Sequence, residues 1–156
     1  MKKLLIIISL NLFINSVSAQ LDLNKLNRNV LKGMELGNLN MGSILSDLEK
    51  GIKPSMLDKS WTKKAANWSK YVANINDVNA AAKSLSALVK NIKPQAFTTG
   101  FASLKSNWLK KLSEINDAVG FANCLKTLMG GIKPEALTGD FLKKQEQLSN
   151  ALQLLK

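Results

Sequence analysis

Three copies of one tripeptide, Ile52-Lys53-Pro54, Ile92-Lys93-Pro94 and Ile132-Lys133-Pro134, stand 40 residues apart and constrain this chain more than any other feature. The register extends far beyond the triplet. Before it lie the columns Leu45/Leu85/Leu125, Leu48/Leu88/Leu128 and Gly51/Asn91/Gly131. After it lie Leu57/Phe97/Leu137, Trp61/Phe101/Phe141, Trp68/Trp108/Leu148, Val72/Leu112/Leu152 and Ile75/Ile115/Leu155. Internal repetition at this period is the signature of helical repeat architectures, in which each unit buries its apolar face only against its neighbours.

Each unit reads as two helices. In the second, Val78, Ala82, Leu85, Val89 and Ile92 recur at threes and fours, the spacing of one helix face. Asn76 and Asp77 are N-cap candidates, because a short polar side chain accepts from the orphan N–H groups of a first turn. Gly51 and Gly131 are the residue type that takes a left-handed conformation just past a helix end, and the proline that follows stops continuation. The column Asp58/Thr98/Thr138 again holds only capping residues and opens a longer helix. That helix carries Phe101, Leu104, Trp108, Leu112 and Ile115 in the second unit, and Trp61, Ala65, Trp68, Val72 and Ile75 in the first. No stretch alternates at the period of a half-buried strand, and no Asn-Gly or Asp-Gly hairpin signal occurs. The fold class is all-α: three 40-residue helix-pair repeats, at about 36–75, 76–115 and 116–155, forming a short helical solenoid or a compact bundle of six or seven helices.

The first 19 residues stand apart from this domain. Met1-Lys2-Lys3 is a cationic start, Leu4 to Phe13 is apolar except for Ser9 and Asn11, and Val17-Ser18-Ala19 offers a small-residue cut before Gln20. These are the three parts of a secretory signal peptide, and the apolar run is far shorter than the about 20 residues a membrane span needs. Residues 1–19 are therefore expected to be a cleaved signal, and 20–156 a single domain without a transmembrane segment that is exported to the periplasm or beyond. Residues 20–43, with Leu23, Leu26, Val30, Leu31 and Met34, read as an N-terminal cap on the array. Cys124 is the one cysteine, so no intrachain disulfide forms, and its place in the repeat favours burial.

Composition narrows function mainly by exclusion. Histidine is absent, which removes the commonest general base, imidazole metal ligands and every His-relay triad. With one cysteine, a zinc site is also excluded, and no cofactor is expected. Asp77 and Asp117 share a column at helix starts, where capping accounts for them. Ser60-Trp61-Thr62-Lys63 matches Ser-x-x-Lys, but the accompanying motifs and α/β scaffold of serine penicillin-binding enzymes are missing. No phosphate loop or dinucleotide fingerprint occurs. Asn67-Trp68-Ser69 matches a glycosylation sequon but falls within a helix stripe.

The formal net charge is +11, or +9 once Lys2 and Lys3 are removed, and Arg28 is the sole arginine. Scattered lysines act as hydrated point charges and lack arginine's planar fork, which suits an anionic membrane surface, an acidic polysaccharide or an acidic protein. Nucleic acid fits less well, since no aromatic-interleaved basic motif accompanies the charge. Lys53, Lys93 and Lys133 recur in every Ile-Lys-Pro turn and are the candidate contacts for an anionic partner. Trp61, Trp68, Phe101, Trp108 and Phe141 are expected in the core; lining a groove for an apolar ligand is the alternative. The sequence thus points to a non-enzymatic, exported binding or interaction protein with a basic surface. A carrier of lipid or another hydrophobic ligand is the first alternative, and a small enzyme with an unrecognisable site is the second.

Overall fold

The computed structural model describes residues 40–153, with side chains through residue 146. The expected signal peptide, the expected cap segment up to residue 39, and the side chains of Leu148, Leu152 and Leu155 lie outside the described residues. Within them the chain is all-α. Six helices follow in order: α1 (Met41–Gly51), α2 (Lys59–Val72), α3 (Val78–Lys90), α4 (Thr99–Ser113), α5 (Ala118–Gly131) and α6 (Gly139–Gln153). Short 3-10 turns at Pro54–Met56, Pro94–Ala96 and Pro134–Ala136 join each shorter helix to the longer one after it. Proline opens each turn, at a position where its missing N–H costs nothing.

The helices form a compact bundle. The shorter helices pack on one another, α1 on α3 and α3 on α5, while each longer helix rests on the shorter helices before and after it, α6 returning to α1. Leu45, Leu48, Leu85, Leu88, Val89, Leu125 and Leu128, all on the shorter helices, are among the largest fully buried side chains. Fully burying a leucine contributes about 2 kcal/mol, so these three helices are a major part of the core. The longer helices bury only a stripe. On α2 it is Trp61, Trp68 and Val72, with Ala65 half-buried between them.

A circuit of backbone hydrogen bonds links the turns. Lys93 N donates to Met56 O at 2.9 Å, Lys133 N to Ala96 O at 2.8 Å, and Lys53 N to Ala136 O at 2.9 Å. Asp58 N likewise donates to Asn91 O, Thr98 N to Gly131 O, and Thr138 N to Gly51 O. The resulting antiparallel bridges are Leu57 with Ile92, Phe97 with Ile132, and Ile52 with Leu137. The last bridge joins the first turn to the third, so the circuit is closed. Each bridge is a single residue pair, too short to leave a strand signal in the sequence.

Several caps fall where expected. Asp77 Oδ1 accepts from Ala80 N and Asp117 Oδ1 from Gly120 N, both at 2.8 Å, and Thr98 Oγ1 accepts from Phe101 N at 3.2 Å. Asp58 is different: its side chain makes no capping bond, and only its carbonyl receives Trp61 N. Replacing Asp117 by alanine is therefore expected to lower stability by about 1 kcal/mol, and replacing Asp58 by much less, as read from paired thermal melts.

Two expectations are corrected. No glycine among the described residues has a positive φ, so Gly51 and Gly131 do not act as left-handed caps. Both are helical, and the chain leaves through Ile52 and Ile132 in extended conformation. Glycine is required there because an aromatic ring lies where a Cβ would stand, that of Phe141 at Gly51 and that of Phe101 at Gly131. Leu104 does not belong to the buried stripe of α4; it is 56% exposed. The half-buried position one residue on is Lys105, whose ammonium sits 4.6 Å above the Phe97 ring while its stem covers apolar surface.

Candidate functional site

The aromatic residues singled out from the sequence are drawn into the core. Trp61, Trp68, Phe101, Trp108 and Phe141 are 2–8% exposed. Trp61 meets Trp68 edge to face with centroids 5.4 Å apart, and Phe101 meets Trp108 in the same way at 5.6 Å. The two buried indole N–H groups are satisfied, Trp68 Nε1 donating to Ser84 O at 3.2 Å and Trp108 Nε1 to Cys124 O at 3.0 Å. Trp61 Nε1 donates to Glu49 Oε1 at 3.0 Å. Satisfied polar tips and paired rings are what large aromatics need in order to pack as core.

The groups with reactive character are likewise held in structural contacts. Cys124 is free and buried, and burial pushes its thiol above the ordinary range, with Lys111 opposing in part. A thiol kept protonated in this way is a poor nucleophile. Ser60 Oγ donates to Asn91 Oδ1 at 3.4 Å. Burial lowers the Lys105 ammonium from its usual range, and Asp58 partly restores it. Among the described residues no three His, Cys, Asp or Glu side chains cluster as metal ligands.

The Ile-Lys-Pro lysines come together on the circuit of turns. Lys53 is exposed, while Lys93 and Lys133 are half-buried. Lys53 Nζ donates to Glu135 O and Lys93 Nζ to Ser55 O, each at 2.8 Å. In both cases the ammonium reaches across to a carbonyl of the turn its own backbone is paired with. The sequence offered no packing reason for this lysine; the structure supplies one for two of the three, since the side chain clasps adjacent turns. Each ammonium keeps donors for a further acceptor.

A second group of cations lies on α2, and its row emerges once the buried stripe of that helix is placed. Lys59, Lys63 and Lys70 are exposed on α2, at spacings of four and seven residues that return to one side of a helix. That side lies opposite the stripe of Trp61, Ala65, Trp68 and Val72. The signal is present as helical spacing, masked by the adjacent pair Lys63-Lys64. Among the described residues no helix is long and apolar enough to cross a membrane.

The carboxylates are placed differently from the lysines. Asp77 and Asp117 cap helices, Glu49 holds the Trp61 indole, and Asp47 lies 3.9 Å from Lys144. Four acids are thus held in fold-building contacts, whereas Glu114, Glu135, Asp140 and Glu146 are exposed, as are the lysines of α2. Comparison with known proteins gives no match: no family model, no curated protein and no solved structure matches the chain.

Proposed function

We propose that this chain is an exported, non-enzymatic interaction protein in which three copies of one helix pair, joined into a ring, present a cationic surface to an anionic partner. One observation carries the reading: α2 exposes Lys59, Lys63, Lys64 and Lys70 and has no acidic residue in its length, within a chain in which basic residues are in excess. Lysine and arginine together outnumber aspartate and glutamate 22 to 11 over the full sequence, so the chain carries a net positive field. The repeat is supported by hydrogen bonds that recur at 40-residue spacing around the circuit of turns. Export rests on the form of the first 19 residues. Carriage of a hydrophobic ligand remains the alternative, with the buried aromatics as its lining.

The test is binding to three anionic probes, namely phosphatidylglycerol vesicles, dextran sulfate and polyglutamate, measured across a salt series. Binding to at least one at low salt, released near ~0.5 M where the screening length falls to a few ångströms, is the expected result. No binding to any probe, or binding indifferent to salt, would remove the cationic surface as the working part.

A further inference from the structure

We propose that the docking surface is the outward face of α2 and that its partner is the headgroup plane of an anionic lipid bilayer, an inference that rests on the cationic reading above. The sequence of α2 contains lysines at 59, 63, 64 and 70 and no acidic residue. Lys59, Lys63 and Lys70 form one row along its outer side. At the equivalent places α4 carries Thr99, Ser103 and Lys110, its other lysines standing at 105 and 111, so the continuous row of three is a feature of α2 that repetition does not copy to α4. The nearest acid in sequence, Asp58, is half-buried at the start of α2 and acts on Lys105.

Shape and chemistry select a bilayer over a polymer. The row runs straight for about 16 Å along a convex helix face, which a plane touches along its whole length. Lysine ammoniums respond to the summed field of many headgroups and need no bidentate geometry. Between the lysines stand Ser60, Thr62, Ala66 and Asn67, with no large apolar side chain, so the contact is adsorption without insertion.

The test uses the whole exported chain and two triple variants of equal charge. One is Lys59→Gln with Lys63→Gln and Lys70→Gln; the other is Lys83→Gln with Lys90→Gln and Lys110→Gln, all exposed on α3 and α4. Cosedimentation with phosphatidylglycerol–phosphatidylcholine vesicles is expected to fall about 100-fold for the α2 variant, from about 5-fold per lysine at a membrane surface, and far less for the other. Circular dichroism melts confirm that both variants fold. Equal losses in the two variants would overturn the assignment to α2. Binding to dextran sulfate or polyglutamate without binding to anionic vesicles would overturn the lipid partner while leaving the cationic reading intact. Failure with all three probes would overturn both.

Discussion

Trp108→Ala is expected to lower the unfolding free energy by about 3–5 kcal/mol, a large part of the stability of a domain this size. The indole is 6% exposed, meets Phe101 edge to face, and bridges α4 to α5 through its bond to Cys124 O. Truncation therefore removes a large apolar surface and leaves a cavity between two helices. Trp108→Phe keeps most of the ring and loses one hydrogen bond, for an expected cost of about 1–2 kcal/mol. Leu104→Ala, on the same helix but exposed, is expected to change stability by less than about 0.5 kcal/mol. Denaturant midpoints with unchanged slopes measure all three. Were Trp108→Ala as mild as Leu104→Ala, the tryptophan would have to line an open groove rather than the core.

Gly131→Ala is expected to cost about 3 kcal/mol, although alanine is the better helix former. The added methyl would stand against the Phe101 ring and 2.6 Å from the Cβ of Phe101 itself. Rotating the ring cannot relieve the second contact, so α4 and α5 must move apart. Gly100, inside α4, has nothing within 4 Å of the place an added methyl would take, and Gly100→Ala is expected to stabilise by about 0.5–1 kcal/mol. The opposite signs of two identical substitutions, read from thermal melts of both variants, form the check. A neutral Gly131→Ala would show that the two helices are not held in close approach.

Much of the fold was legible because it is written in local spacing. The leucine columns became the shorter helices, and Asp77, Asp117 and Thr98 cap where a short polar residue precedes a periodic run. What failed did so for nameable reasons. Leu104 and Lys105 both fit a helix face, and hydrophobicity alone chose the wrong one, since a lysine stem also covers apolar surface. Gly51 and Gly131 were assigned to a backbone conformation when their cause is a ring from a distant helix. The candidate site was less legible still. The partners of the Ile-Lys-Pro lysines are carbonyls far along the chain, and no local pattern carries such information. The row on α2 was readable in principle, but only after the buried stripe had been located.

The circuit of turns has a consequence for how the molecule comes together. Lys53 and Glu135 are 82 positions apart, whereas Lys93 and Ser55 are 38 apart. Because loop-closure entropy grows with the logarithm of loop length, roughly doubling the span adds only about 0.6 kcal/mol. Joining the two ends is thus nearly as favourable as joining neighbours, and it leaves no helix pair with a free edge. The same joint is the one that no short connecting segment protects. Opening it would part the first turn from the third while leaving every chain connection between the six helices in place.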